Sequence, residues 1–113
     1  MGKRIDIWQL KNNDEADKRA FMSYEFVTKV FGGVDPRYYE HIYTCNRDGI
    51  AAHPDCIFEE FNCNHPSDYT GHSLSVSDII QITEEDGTIR TLYVNDFGFE
   101  ALTEEIASQL GKE

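Results

Sequence analysis

Positive charge is what this 113-residue chain has least of: ten Lys/Arg stand against 21 Asp/Glu, a formal net charge of −11. The shortage is concentrated in one part. Residues 1–47 hold eight basic and seven acidic residues, whereas residues 48–113 hold two and fourteen. Clustered Lys and Arg are needed to displace counterions from a phosphate backbone, so direct nucleic-acid binding is disfavoured. An anionic membrane surface is disfavoured for the same reason. Long apolar runs are missing too, since pairs such as Ile79-Ile80 fall far short of the ~20 residues that cross a bilayer. The opening MGKRIDIWQL has no apolar signal-peptide core, and a cytoplasmic protein is expected. Cys45, Cys56 and Cys63 are odd in number, which argues against a disulfide framework and for reduced thiols. Internal repeats, linkers and low-complexity tracts are absent.

What is present suits one domain over 1–113, because 40% hydrophobic residues with 12% aromatics can build a packed core at this length. Ile5, Ile7 and Gln9 alternate against Asp6, Trp8 and Leu10, a strand with apolar groups on both faces. Lys11 to Arg19 is polar and reads as a loop or solvated helical turn. Phe26, Val27, Val30 and Phe31 fall at helical spacing, with Ser23 able to cap the start and Gly32-Gly33 to stop the end. Tyr38 to Cys45 is aromatic and β-branched, as a strand requires. Cys56, Ile57, Phe58 and Phe61 predict a helix capped by Asp55 and finished by Asn64, ahead of Pro66. Leu74 to Thr83 and Ile89 to Val94 flank Asp86-Gly87 and read as a hairpin, with Leu74, Val76, Ile80 and Ile82 on one face and Ile79 on the other. Leu102, Ile106 and Leu110 are four apart, with Thr103 as a cap. The order predicts an α+β fold: a small, mainly antiparallel sheet of about four strands packed with two to three helices.

Several motifs invite chemistry that their spacing does not support. Cys45, Cys56, Cys63, His53 and His65 suggest zinc, but there is no C-x2-C knuckle and Cys63-x-His65 is too tight for the usual tetrahedral site. Gly71-His72-Ser73-Leu74-Ser75 resembles a nucleophile elbow without the final glycine or the strand-turn-helix setting. Ser73, Ser75 and Ser77 are better read as polar-face or loop residues, His72 as bonding within its loop, and Asp78 as a surface acid or the cap of a bend. Glu59-Glu60, Glu84-Glu85-Asp86 and Glu104-Glu105 are adjacent acids, usually solvated or set against a helix dipole rather than paired for proton transfer. Gly32-Gly33 lacks the Lys-Ser/Thr of a phosphate loop. No enzyme activity, cofactor or metal is expected.

The strand IDIWQL, the strand YEHIYT (Tyr39 to Thr44) after the Val34-Asp35 turn, and above all FNCNHPSDYTGHSLSVSDII leading into LYVNDFGFEAL together resemble a YodL-like domain. That is a small module of proteins from conjugative elements, plasmids and phages. The resemblance spans nearly the whole chain and brings no catalytic residue with it. It implies a mobile-element accessory protein, a setting that includes antirestriction and anti-CRISPR proteins.

Charge and setting together give the expected function: a non-enzymatic acidic protein that docks on a basic surface, such as the nucleic-acid groove of a host defence nuclease. The expected contact residues are Glu84, Glu85 and Asp86 at the hairpin tip, Asp96, Glu100, Glu104 and Glu105 beyond it, and Glu59 and Glu60 on the second helix. Tyr38, Tyr69 and Phe97, next to turns, are expected as exposed aromatic anchors. The rival readings are acidity that only maintains solubility, a regulatory or structural module of a conjugation apparatus, and a small Cys/His metal-binding protein.

Overall fold

In the computed structural model, which describes residues 2–63, 66–96 and 98–110, five antiparallel strands form one sheet in the order β2-β1-β3-β4-β5. They are β1 (Lys3–Leu10), β2 (Tyr39–Arg47), β3 (Ile79–Thr83), β4 (Ile89–Val94) and β5 (Phe99–Ala101). The helices are α1 (Asp14–Asp17), α2 (Tyr24–Phe31), α3 (Pro54–Cys63) and α4 (Glu104–Gln109), with 3-10 turns at Pro36–Tyr38 and Gly49–Ala52. The fold is α+β, as expected, with one strand more than the expected four. β5 is the addition: three residues that pair with β4 from Leu92↔Ala101 to Val94↔Phe99.

β1 lies inside the sheet and is buried on both faces from Ile5 to Gln9. Ile5 and Ile7 sit opposite Ile82 and Ile80 of β3 and opposite Cys45 and Tyr43 of β2. These side chains point to one face, where Ile57 and Phe61 of α3, Tyr69, Leu74, Leu92 and Val94 complete a core. Trp8 points to the other face, beside Ile79, Tyr39 and Tyr93, and is covered by Val27, Val34 and Leu110. Ile79 and Ile80 therefore feed opposite cores, as the alternation predicts. A bulge between Ile7 and Trp8 leaves Ile42 as the extra residue of β2 and shifts the register at the strand's middle.

Polar groups inside this sheet are paired. Trp8 Nε1 donates to Gln81 Oε1 at 3.0 Å, and Gln81 Nε2 donates to Thr91 Oγ1 at 3.2 Å. Asp6 meets His41 Nε2 at 2.8 Å and Arg4 Nε at 3.1 Å.

Local signals place the helix ends. Ser23 Oγ accepts the Phe26 amide hydrogen and Gly32, left-handed at φ 82°, closes α2. Thr103 accepts from the Ile106 amide at the start of α4. α3 starts differently from expectation: His53 Nδ1 accepts the Asp55 amide hydrogen at 3.2 Å, so His53 is the cap and Asp55 lies within the first turn. The tip between β3 and β4 is a turn closed by Gly87 N–H on the Glu84 carbonyl, with Gly87 at φ 92°. β3 begins at Ile79, not Leu74. Residues 72–78 form a loop held by side chains, because Ser77 and Asp78 turn inward there instead of extending the ladder. Among the described residues no helix is long and apolar enough to cross a membrane.

Only one of the four apolar positions at helical spacing in α2 is buried. Val27 is enclosed, while Phe26 and Val30 are exposed. Phe61→Ala is therefore expected to cost about 3–5 kcal/mol in urea unfolding and Phe26→Ala less than about 1 kcal/mol. Equal losses would show that the outer face of α2 is covered in solution.

Candidate functional site

The expected contact acids separate into free and engaged groups. Asp55 and Glu59 are exposed one turn apart on α3, whereas Glu60 turns to β2 and receives Arg47 Nη2 at 2.6 Å and Nε at 3.2 Å. That carboxylate raises the Arg47 guanidinium above its ordinary value. Glu84 is likewise held, by Lys3 Nζ at 3.0 Å and Arg90 Nη1 at 3.9 Å. Two of the expected contact acids are thus neutralised locally, because the antiparallel pairing of β1 brings Lys3 to the base of the hairpin and that of β2 brings Arg47 beside α3.

Glu85 and Asp86 remain exposed at the tip. Asp86 accepts the Thr88 amide hydrogen at 2.9 Å, which lowers its carboxyl below the usual range. Glu104 shares a shallow groove with Gly87, Thr88 and Ile89, and so stands beside that tip. Asp96 shares another with Asp55, Phe58 and Phe99. Its neighbour Asn95 donates to Glu25 at 3.3 Å, which brings a third acid to the β4–β5 turn. Glu105 is exposed in the first turn of α4, and Glu100 is half-buried on β5 opposite Tyr93.

The aromatic anchors need correction. Tyr69 is 6% exposed and belongs to the core under β1, where its ring meets Phe61 at 5.1 Å and Tyr43 at 5.5 Å. Proximity to a turn does not keep a residue outside when the loop folds back across the sheet. Tyr38 is half-buried, with the Arg19 guanidinium 4.2 Å from its ring centre. Phe97 lies outside the described residues.

The structure also assembles a group that sequence reasoning left dispersed. Asp78 is not a surface acid: it is 1% exposed. Its Oδ2 accepts from the Ser75 amide at 2.9 Å, the bend-capping contact expected of it, and from Gln9 Nε2 at 3.1 Å. Gln9 Nε2 also lies 3.0 Å from Tyr69 Oη and 2.9 Å from the His72 carbonyl, to which Tyr69 donates at 2.8 Å. His72 bonds within its loop, Nδ1 to the Ser73 carbonyl at 2.8 Å, and its Nε2 is 3.9 Å from Asp78 Oδ1. Gly71 fits here because an added Cβ would stand 2.5 Å from both Gln9 Oε1 and Ile42 Cγ2.

Two non-glycine residues with left-handed backbone meet beside this network. Phe21 has φ 63° and Ser77 φ 88°, and the Phe21 amide donates to Ser77 Oγ at 3.1 Å. Such conformations cost about 1–3 kcal/mol each and concentrate at functional sites. Tyr39 Oη donates to the Ser77 carbonyl at 2.6 Å and holds the loop from below. Burial is the main force on the Asp78 carboxyl and pushes it up to about 7, against the pull of the Ser75 amide, His72 and Gln9. The sequence signal for this site was an acid placed directly before the apolar run Ile79-Ile80, within GHSLSVSD.

The described residues do not pair a nucleophile with the His72 ring. Among the described residues no hydroxyl or thiol hydrogen-bonds the His72 ring, and Ser75 Oγ is buried without a partner. No group of three or more His, Cys, Asp and Glu among the described residues is placed to hold a metal ion. His65, part of the zinc reading, is outside them. Burial pushes the Cys45 thiol up, away from the reactive thiolate.

Among the described residues one five-strand antiparallel sheet, helices on both faces and a buried acid under a strained loop define a small α+β domain. The family model of the YodL-like domain matches residues 4–104, and the chain belongs to that family. No curated protein and no solved structure matches it.

An acid raised by burial makes stability depend on pH in a defined direction. Between about pH 4 and 7 the folded protein keeps a proton on Asp78 that the unfolded chain releases, so this contribution is complete below pH 4 and declines as pH rises through 7. Asp78→Asn retains an acceptor for Ser75 and Gln9 and carries no charge. In urea unfolding from pH 4 to 8 the variant is expected to gain on the parent by up to about 4 kcal/mol, complete just above pH 7. A constant difference would place the carboxylate in an ordinary, ionised state.

Proposed function

We propose that this domain is a non-enzymatic binding module of a mobile genetic element that docks on a basic, nucleic-acid-binding surface of a host defence protein. Its exposed carboxylates would stand where phosphates otherwise lie, as an antirestriction or anti-CRISPR inhibitor requires. The observation that carries the reading is uncompensated charge. Lys3, Arg4, Lys18, Arg37, Arg47 and Arg90 each have a carboxylate within 4.0 Å. No salt bridge among the described residues engages Glu59, Glu85, Asp86, Asp96, Glu104 or Glu105. Unpaired negative charge near a low-dielectric surface steers a basic partner and repels nucleic acid and other acidic proteins. Solubility alone needs no gathering of acids around two turns; here Glu104 shares a groove with Gly87 and Thr88, the residues that follow Glu85 and Asp86, and Asp55 and Glu25 flank Asp96 at the other turn.

The test is capture of purified restriction and CRISPR nucleases with duplex DNA as competitor. Binding is expected to be displaced by DNA and to weaken between about 0.1 and 1 M salt, as the screening length falls from about 10 to 3 Å. Glu85→Lys with Asp86→Lys is expected to slow association by about tenfold. Capture that ignores both DNA and salt would rule out phosphate mimicry.

A further inference from the structure

A cleft of about 220 Å³ opens between the chain that follows β1 and the loop that precedes β3. Lys11, Asp17 and Phe21 line one wall, and His72, Ser77 and Asp78 the other. Pockets for whole small molecules measure about 300–1,000 Å³, so this smaller space suits a single side chain.

Its floor has an open acceptor. The Asp78 side chain is 2% exposed, and its Oδ2 is satisfied by Ser75 and Gln9. Oδ1 accepts no hydrogen bond among the described residues, since His72 Nε2 at 3.9 Å is beyond reach. Oδ1 is not sealed from solvent, and a donor entering the cleft would take the place of water on it. Across the cleft Asp17 offers a second, exposed carboxylate. At the rim Phe21 is 66% exposed, its backbone held there in the left-handed region by the bond to Ser77 Oγ. Carboxylates on two sides and an aromatic face at the mouth match a planar organic cation.

Resting on the basic-partner reading above, we infer that this cleft is the anchor pocket for an arginine side chain of the partner, the guanidinium donating to Asp78 Oδ1 and to Asp17 and lying against the Phe21 ring. The groups facing Asp78 set a pH condition. They are His72 from its own loop, Lys11 and Asp17 from the segment after β1, and the neutral phenols of Tyr69, Tyr39 and Tyr93. A proton on Asp78 removes the charge that attracts an incoming cation. Affinity therefore rises from pH 6 to pH 8. Solvent-exposed carboxylates are ionised at both values, so surface attraction alone gives no such rise.

The experiment is an NMR titration of the whole chain with acetyl-arginine-methylamide at pH 6 and 8, following the amides of Phe21, Ser75 and Ser77 and the Gln9 side-chain amide. Saturable shifts at these groups are expected at pH 8. Binding should be at least about tenfold weaker at pH 6 and in Asp78→Asn, and weaker in Asp17→Asn. The neutral isostere acetyl-citrulline-methylamide should not saturate. Folding of each variant is read from unchanged amide shifts of β1 and β4. No response at the cleft, an equal response to citrulline, or unchanged binding in Asp78→Asn overturns the pocket, and an equal response to acetyl-lysine-methylamide overturns the guanidinium assignment. Salt-sensitive, DNA-competed nuclease capture that survives Asp78→Asn would leave the acidic-surface reading standing while the pocket falls. Loss of that capture with an intact titration would do the reverse.

Discussion

Burial of β1 on both faces is the constraint from which the other features follow. Five consecutive residues, Ile5 to Gln9, are enclosed, and two of them, Asp6 and Gln9, are polar. Each apolar neighbour gains by leaving water, while each polar group must find partners or destabilise the fold. Asp6 finds His41 and Arg4 on one face. Gln9 finds Tyr69, the His72 carbonyl and Asp78 on the other. The loop before β3 is thus drawn onto the sheet by the needs of a side chain some 60 or more residues earlier in the chain.

That attachment explains the unusual backbone nearby. Asp78 must turn inward to meet Gln9 while Ile79 and Ile80 enter opposite cores. Ser77 absorbs the change of direction with its left-handed φ, and its hydroxyl and carbonyl are fixed by Phe21 and Tyr39. The same inward turn removes one carboxylate from the acidic exterior and places it in a cleft, where its charge state responds to pH near neutrality. The exposed acids and the buried one differ physically: the first act through long-range fields, the second only on groups that enter the cleft.

Features set by near neighbours were legible. Ser23 and Gly32 bound α2, Thr103 starts α4, and Gly87 turns the hairpin, because each bond spans no more than five residues. Features set by distant partners were not. β5 is too short to announce itself, and forms because β4 offers an open edge that the Leu102 amide also uses through the Thr91 carbonyl. Tyr69 reads as a turn-side aromatic until the loop is seen lying against Phe61. The loss of Glu60 and Glu84 from the free acidic set follows from strand register, which carries Arg47 and Lys3 to them.

The sequence by itself determined the α+β class, the family, the placement of most helices and strands, and the excess of negative charge in the latter half. These depend on periodicity, caps, turn chemistry and composition, which act along the chain. Tertiary structure alone decided which acids remain unpaired, which face of α2 stays in water, and that Asp78 meets Gln9 and His72 beneath a cleft. Burial and ion pairing are properties of groups brought together in space, and here the two halves of the chain meet where β1 lies between β2 and β3.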